Sequence, residues 1–335
     1  MTLRVGVIGT GMIGQDHLRR LTQVVSGADV VAVTDANAEV AREVAAGLKN
    51  ATVHATGQDL IADAAVEAVI VCSWGPTHED YVLASIASGK PVFCEKPLAT
   101  TTQACRNIID AEVAHGTRLV QVGFMRRYDA AYRALKSVID SGEIGAPLMY
   151  YSGHRNPSVP DHYTKDMAIV DTAVHDFDVT RWLLGEELTA IRVMPAKPNS
   201  LGGELLDPLL MVVETESGVL VNVETSVNIR YGYDIRGEVV GETGTAALAE
   251  RGPVLVRSAN RVGVAVPQDW RERFVAAYDT EFQEWIDAVS AGDGATGPSS
   301  WDGYAAQVVC DAGVAALESG ERVEIRLGPK PPLYS

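Results

Sequence analysis

Between residues 3 and 123 short runs of aliphatic and β-branched residues alternate with stretches whose apolar positions recur at helical spacing. The runs at 5–8, 30–34, 68–72, 91–94 and 119–122 predict strands, and 15–25, 39–48, 81–87 and 102–115 predict the helices between them. Strands separated by helices pair in parallel, which makes this a doubly wound α/β domain over residues 1–123. Gly89 and Gly116 fall where helices end before a strand. Past Gly123 the pattern changes. A helix at 131–141 and a strand at 148–153 precede a helix at 170–184, and the strands 210–214, 219–225 and 235–240 follow without helices between them. Residues 124–335 therefore predict an α+β domain with a largely antiparallel open sheet. One face of such a sheet needs a cover, and a second copy of the chain is the expected one. The glycine-rich segment 292–297 predicts an exposed loop.

Composition narrows the classes that remain. A chain of 335 residues with 47% hydrophobic content is long enough for two cores. Its net charge of −16 argues against nucleic acid and anionic membranes, both of which need a positive field. No stretch is long and apolar enough to span a bilayer, and the N-terminus enters a strand without a basic leader, so a cytoplasmic protein is expected. The four cysteines lack CxxC spacing and suggest neither a disulfide framework nor a zinc ribbon.

The first predicted strand runs straight into Gly9-Thr10-Gly11-Met12-Ile13-Gly14. Gly9 permits the tight turn, Gly11 lets backbone N–H groups approach a pyrophosphate, and Gly14 lets the next helix lie close to the strand. The second strand ends at Asp35, about 20 residues on, where the fingerprint has an acidic residue for the ribose hydroxyls. With no cation in 36–38, and with Met12 offering none, a 2′-phosphate would meet only repulsion. The cofactor expected is NAD.

Catalytic groups follow at strand ends and on a helix. Strand 91–94 delivers Glu95-Lys96-Pro97, where Pro97 ends the strand and biases Lys96 toward an extended conformation at the cofactor crevice. Asp171 and His175 stand four apart, which on a helix brings a carboxylate beside an imidazole. That is acid–base geometry, although an exposed surface pair has the same spacing. A metal held by His154, Asp171 and His175 is the weaker alternative, because Lys96 would add a cation to the cluster. No metal is expected.

The glycine fingerprint, Ser73-Trp74-Gly75-Pro76-Thr77-His78, Cys94-Glu95-Lys96-Pro97-Leu98, Gln121 to Tyr128, His154-Arg155-Asn156-Pro157, the Asp171/His175 pair, Tyr231 to Asp234 and Trp301 to Tyr304 together resemble the glucose–fructose oxidoreductase/inositol dehydrogenase superfamily. The resemblance runs through nearly the whole chain. It implies NAD-dependent oxidation of a cyclitol ring hydroxyl, in inositol the 2-hydroxyl to the 2-ketone, in a homotetramer. It also implies that His175 is the general base, Asp171 its orienting partner, and Lys96 the donor to the reacting oxygen. Ser73, Trp74, His78, Glu95 and Lys96 would join Met12, Ile13 and the fingerprint glycines at the cofactor. Met125, Arg126, His154, Asn156 and Tyr233, with Lys96, Asp171 and His175, would line the polyol pocket. Arg127, Arg155 and Asp178 stay open between ligand contact and local pairing, and His17, His54, His115 and His162 are left as structural or solvent-facing. Other cyclitols or sugars remain alternative substrates. So does a regulator that binds NAD without turnover.

Overall fold

The computed structural model describes residues 2–249 and 254–335 and divides into two compact units. The first comprises Met1–Phe124, Tyr278–Gln307 and Leu327–Ser335, and the second Met125–Ala277 and Val308–Arg326. The expected boundary after Gly123 is a single cut, whereas the chain returns to the first unit in two later segments. The reason lies in the core. Phe282, Trp285 and Ile286 are fully buried in the same cluster as Val5, Val7, Ile70 and Phe93, with the Phe93 and Phe282 rings 4.4 Å apart.

The first unit is built on a sheet of β1 (Leu3–Ile8), β2 (Ala28–Thr34), β3 (Thr52–Val53), β4 (Ala68–Val71), β5 (Val92–Cys94) and β6 (Val120–Val122). Its order is β3-β2-β1-β4-β5-β6 and every pairing is parallel. The doubly wound expectation holds: β4 is buried at all four positions, as a strand covered on both faces must be. The intervening helices are α1 (Met12–Gln23), α2 (Ala38–Ala46), α3 (Gly57–Ala62), α4 (His78–Ala87) and α5 (Thr102–His115). Asn37, Thr56 and Thr101 cap α2, α3 and α5 through their side-chain oxygens. The segment 292–297 is the expected loop, exposed at Gly292, Asp293 and Thr296, but it is not exposed throughout. Gly294 and Ala295 are buried, the Ala295 N–H donates to the Arg118 carbonyl at 3.0 Å, and the Val122 N–H donates to the Pro298 carbonyl at 2.8 Å. This segment covers the β6 edge that would otherwise leave backbone groups unpaired.

The second unit contains α6 (Ala130–Asp140), α7 (Val174–Leu184) and a seven-stranded sheet. The strands are β7 (Pro147–Arg155), β8 (Leu188–Pro195), β9 (Leu209–Thr215), β10 (Leu220–Ser226), β11 (Asp234–Gly241), β12 (Thr245–Ala247) and, after the hairpin β13 (Val256–Ser258) and β14 (Arg261–Gly263), β15 (Val323–Glu324). The sheet order is β12-β11-β7-β10-β9-β8-β15, and β7–β10 is its single parallel pairing. The largely antiparallel expectation therefore stands. β9 alternates buried and less buried positions along its length, the signature of a sheet with one covered face. Two long helices, α8 (Trp270–Ala291) and α9 (Ser300–Ser319), complete the element order.

Candidate active site

In the first unit the three fingerprint glycines meet three different demands. Gly9 has φ +92°, and a Cβ there would lie 2.6 Å from the Cys72 carbonyl. A Cβ on Gly14 would sit 2.0 Å from the Gly9 oxygen, so only glycine lets α1 start this close to β1. A Cβ on Gly11, which holds the N-cap position of α1 without a side chain to cap it, would meet nothing within 4 Å. Open space in front of an uncapped helix start is where a pyrophosphate oxygen can take the backbone N–H groups. Met12 is exposed beside it and Ile13 is half-buried against the core.

Asp35 is pre-set for a ribose. Its Oδ2 accepts from the Thr10 N–H at 2.7 Å and its Oδ1 from the Asn37 N–H at 2.8 Å, while the residue stays partly exposed. A cavity of about 530 Å³ opens on it, lined by Gly9, Gly11, Asp35, Thr56, Ser73 and Trp74 among others. These residues fit NAD: N–H donors for the phosphates, a carboxylate for the ribose diol, and the broad exposed face of Trp74 at the rim. Thr56, Gln58 and Tyr81 line the same cavity and were not expected, since they come from the start of α3 and from α4, which no cofactor motif marks.

His78 is only 1% exposed. Its Nδ1 lies 2.7 Å from the Pro97 carbonyl and its Nε2 2.9 Å from the Ser73 carbonyl, so it ties together two strand-end loops behind the cavity wall. Lys96 is half-buried at the end of β5, and its N–H donates to Glu95 Oε2 at 3.1 Å. Glu95 itself is buried. Burial, with Glu95 and Cys105 nearby, pushes the Cys94 thiol well above its ordinary range, so it offers no thiolate at neutral pH.

The second unit assembles a different group. Arg126 and Asp176 are both buried, with Nη1 2.6 Å from Asp176 Oδ1. Ser152 donates to the same oxygen at 2.7 Å, and His154 Nδ1 lies 2.8 Å from Oδ2 and 2.9 Å from Arg126 Nη2. Burial alone would raise the Asp176 pKa, but the charges of Arg126 and His154 outweigh it and hold the carboxyl far below its usual range. His154 Nδ1 thus faces both an acceptor, Asp176 Oδ2, and a donor, Arg126 Nη2, so these contacts do not fix its tautomer, while Nε2 lies 3.2 Å from the Tyr233 hydroxyl. Arg127 forms a bidentate pair with buried Asp178 at 3.0 and 2.5 Å. Arg155, the other residue left open, pairs with Glu224 and Asp234 on the sheet.

Asp171 and His175 stand where two helical geometries join. Residues Ala168–Ala173 form a π-helical turn that carries half-buried Asp171, and α7 then opens with buried His175. The regular α-helical i,i+4 register expected for the pair is thus replaced by a wider turn, a local irregularity frequent at functional sites. The His175 and His154 rings lie 6.4 Å apart at their centroids. Met125 and Tyr233 are buried, and Asn156 is half-buried with its N–H donating to the Ser226 carbonyl at 2.7 Å. The expected polyol residues Arg126, His154 and Tyr233 are therefore in contact with one another, and His175 lies beside them; Lys96 belongs to the first unit. Asp176 was missed. It stands 22 positions from His154, and its one local signal is a carboxylate on a helix whose residues are almost all buried.

The model of the oxidoreductase family's NAD-binding Rossmann fold matches residues 3–124, and that of its C-terminal alpha/beta domain matches residues 136–325. The chain belongs to the Gfo/Idh/MocA oxidoreductase family. Among curated members, it is 54% identical to the inositol 2-dehydrogenase of Pseudomonas syringae pv. syringae, over 100% of both chains. It is 55% identical to that of Ralstonia nicotianae, over 100% of this chain and 99% of the relative. Among solved structures, the myo-inositol dehydrogenase of Lactobacillus casei in complex with NAD(H) and myo-inositol superposes with a TM-score of 0.98 at 40% identity, over 100% of both chains. Membership in this family accounts for the parallel sheet, the glycine turn and the cavity at Asp35 as one NAD-binding unit.

Proposed function

We propose that this protein is an NAD-dependent inositol dehydrogenase that oxidises myo-inositol at the 2-hydroxyl to 2-keto-myo-inositol, a step of inositol catabolism. The observation that carries the reading is the full-length likeness to the Lactobacillus casei enzyme solved with NAD(H) and myo-inositol. NAD, when bound, supplies the acceptor for the electron pair that leaves the ring carbon. His175 takes the proton of the reacting hydroxyl, Asp171 orients the ring and favours the imidazolium, and Lys96 donates to the reacting oxygen as negative charge grows on it. The family pattern carries these roles residue by residue. Met125, Arg126, His154, Asn156 and Tyr233 are proposed to bind the polyol. Because Asp176 engages the Arg126 guanidinium, the part proposed for Arg126 is to hold His154 in register for a substrate hydroxyl. Gly9, Gly11, Met12, Ile13, Gly14, Asp35, Ser73, Trp74, Glu95 and Lys96 are proposed for the cofactor, with His78 supporting the loops that carry Ser73 and Pro97. Residues 1–123, with the later segments of the first unit, are proposed as the dinucleotide-binding part, and the rest of 124–335 as the part that binds substrate and joins copies into a homotetramer. A cytoplasmic setting belongs to the same proposal; among the described residues no helix is long and apolar enough to cross a membrane.

The test is NADH formation from NAD and myo-inositol, followed by absorbance. Turnover that disappears in Lys96→Ala supports the reaction and the site together. If protein shown to bind NAD by calorimetry makes no NADH, the reading fails, and a panel of other cyclitols and sugars comes next.

A further inference from the structure

The turn that carries Lys96 is held from behind by Glu95 and, beyond it, by buried polar groups that have no part in the proposed reaction. Glu95 Oε1 lies 2.7 Å from His17 Nε2, and His17 Nδ1 lies 2.8 Å from Arg20 Nη1. His17 and Arg20 are both wholly buried. The Arg20 guanidinium is anchored further by Asp16 Oδ2 at 2.9 Å and Asp279 Oδ1 at 2.7 Å, and it lies 5.1 Å from the centre of the Tyr278 ring. Phe93, Tyr278 and Phe282 enclose the imidazole.

These contacts settle the proton. A guanidinium has donors and no acceptor, so His17 Nδ1 must accept. The single ring proton then sits on Nε2 and is donated to Glu95. An Nδ1–H tautomer or an imidazolium would set two N–H groups head to head at 2.8 Å. Burial is the largest influence on the ring and disfavours its charged form; the Arg20 charge acts in the same direction, against Glu95 and Asp16. The other Glu95 oxygen receives the Lys96 N–H, and a Cβ on Gly123 would come within 3.1 Å of it, so the carboxylate fills its slot with both oxygens occupied.

We propose that His17, locked as the Nε2–H tautomer by Arg20, is a positioning residue that fixes the Lys96 backbone through Glu95 and thereby aims the lysine at the reacting oxygen. The inference rests on the reading of Lys96 as catalytic. A lysine has a long flexible stem, so the accuracy of its ammonium depends on how firmly its backbone is held. A neutral imidazole transmits that hold while it keeps the Arg20 charge one ring away from Glu95 and Lys96.

The experiment uses two substitutions. His17→Phe keeps the ring volume and removes both hydrogen bonds, whereas His17→Gln retains a donor for Glu95 and an acceptor for Arg20. Each is measured for kcat and KM with myo-inositol and for NAD affinity by calorimetry, alone and combined with Lys96→Met. His17→Phe is expected to lower kcat by about 10- to 50-fold with NAD affinity within about 2-fold, His17→Gln to recover most of the loss, and the Phe substitution to add nothing once Lys96 is gone. An equal loss in the Lys96→Met background would make His17 merely structural and overturn the proposal. Undiminished turnover in Lys96→Met alone would instead remove the catalytic reading on which it rests. Nitrogen-15 NMR of the wild-type histidines checks the tautomer without any substitution. The His17 ring is expected to carry its proton on Nε2 and to stay unchanged from about pH 6 to 9. A proton on Nδ1, or titration across that range, would overturn the proposal even if His17→Phe did not fold.

Discussion

Each unit buries an arginine, a histidine and a carboxylate in one connected cluster, and the order of contact differs. In the first unit the histidine stands in the middle: Arg20 donates to one face of His17, and His17 donates to Glu95 from the other. In the second unit the carboxylate stands in the middle, with Arg126, His154 and Ser152 all on Asp176. The same three residue types thus make a neutral relay in one place and a direct ion pair in the other. A relay transmits orientation through one defined proton. An ion pair stores its stability as compensated charge, which becomes a liability when either partner is removed.

This contrast is sharpest where the direct pair is broken. Arg126→Met leaves the Asp176 carboxylate buried without its counter-ion, and chemical unfolding should register a loss of about 3–5 kcal/mol. A loss under about 1 kcal/mol would mean that His154 and Ser152 suffice, and the two clusters would then be equivalent. Next in size is His175→Ala, expected to lower kcat at least ~10²-fold with NAD affinity near wild type. Turnover like wild type would take His175 out of the mechanism. A third effect follows from Asp176, whose folded-state pKa lies below its unfolded value. The sign is that of a depressed acid: its stabilisation is complete above the ordinary carboxylate range and is lost as pH falls through and below about 4. Asp176→Asn should therefore flatten the acid limb of a stability–pH curve, whereas His17→Gln should leave that limb in place. An unchanged acid limb in Asp176→Asn would locate the pH dependence elsewhere. The smallest effect concerns the cofactor. Asp35→Ser should narrow the preference for NAD over NADP by about tenfold, read as the ratio of kcat/KM values, and an unchanged ratio would show that another residue discriminates.

The legible parts of this protein are those written in local sequence. β4 is a continuous apolar run and β1 and β2 each contain one, at 5–8 and 30–33, and the turn after β1 needs glycines for reasons of φ and close approach that no other residue meets. Asp35 could be found because its distance from the glycines is set by one βαβ unit. His17 carried no such signal. A lone histidine on a helix reads as structural or solvent-facing until Glu95, 78 positions away, and Asp279, 259 positions from Arg20, are known to lie against it. Asp176 was hidden for a related reason, since its neighbour His175 draws attention through spacing while its own partners come from β7 and from the turn before α6.

Local order along the chain, then, was enough to determine the parallel sheet, the NAD turn, the largely antiparallel second sheet and the residue types available for acid–base chemistry, because each depends on periodicity or on short fixed spacing. Only the tertiary structure decided which carboxylate meets which cation, which histidine proton is fixed, and that Phe282, Trp285 and Ile286 return to fill the first core. Those outcomes depend on long-range packing. Burial makes an unpaired polar group costly, and the identity of the partner that relieves the cost is settled by where distant segments of the chain come to rest.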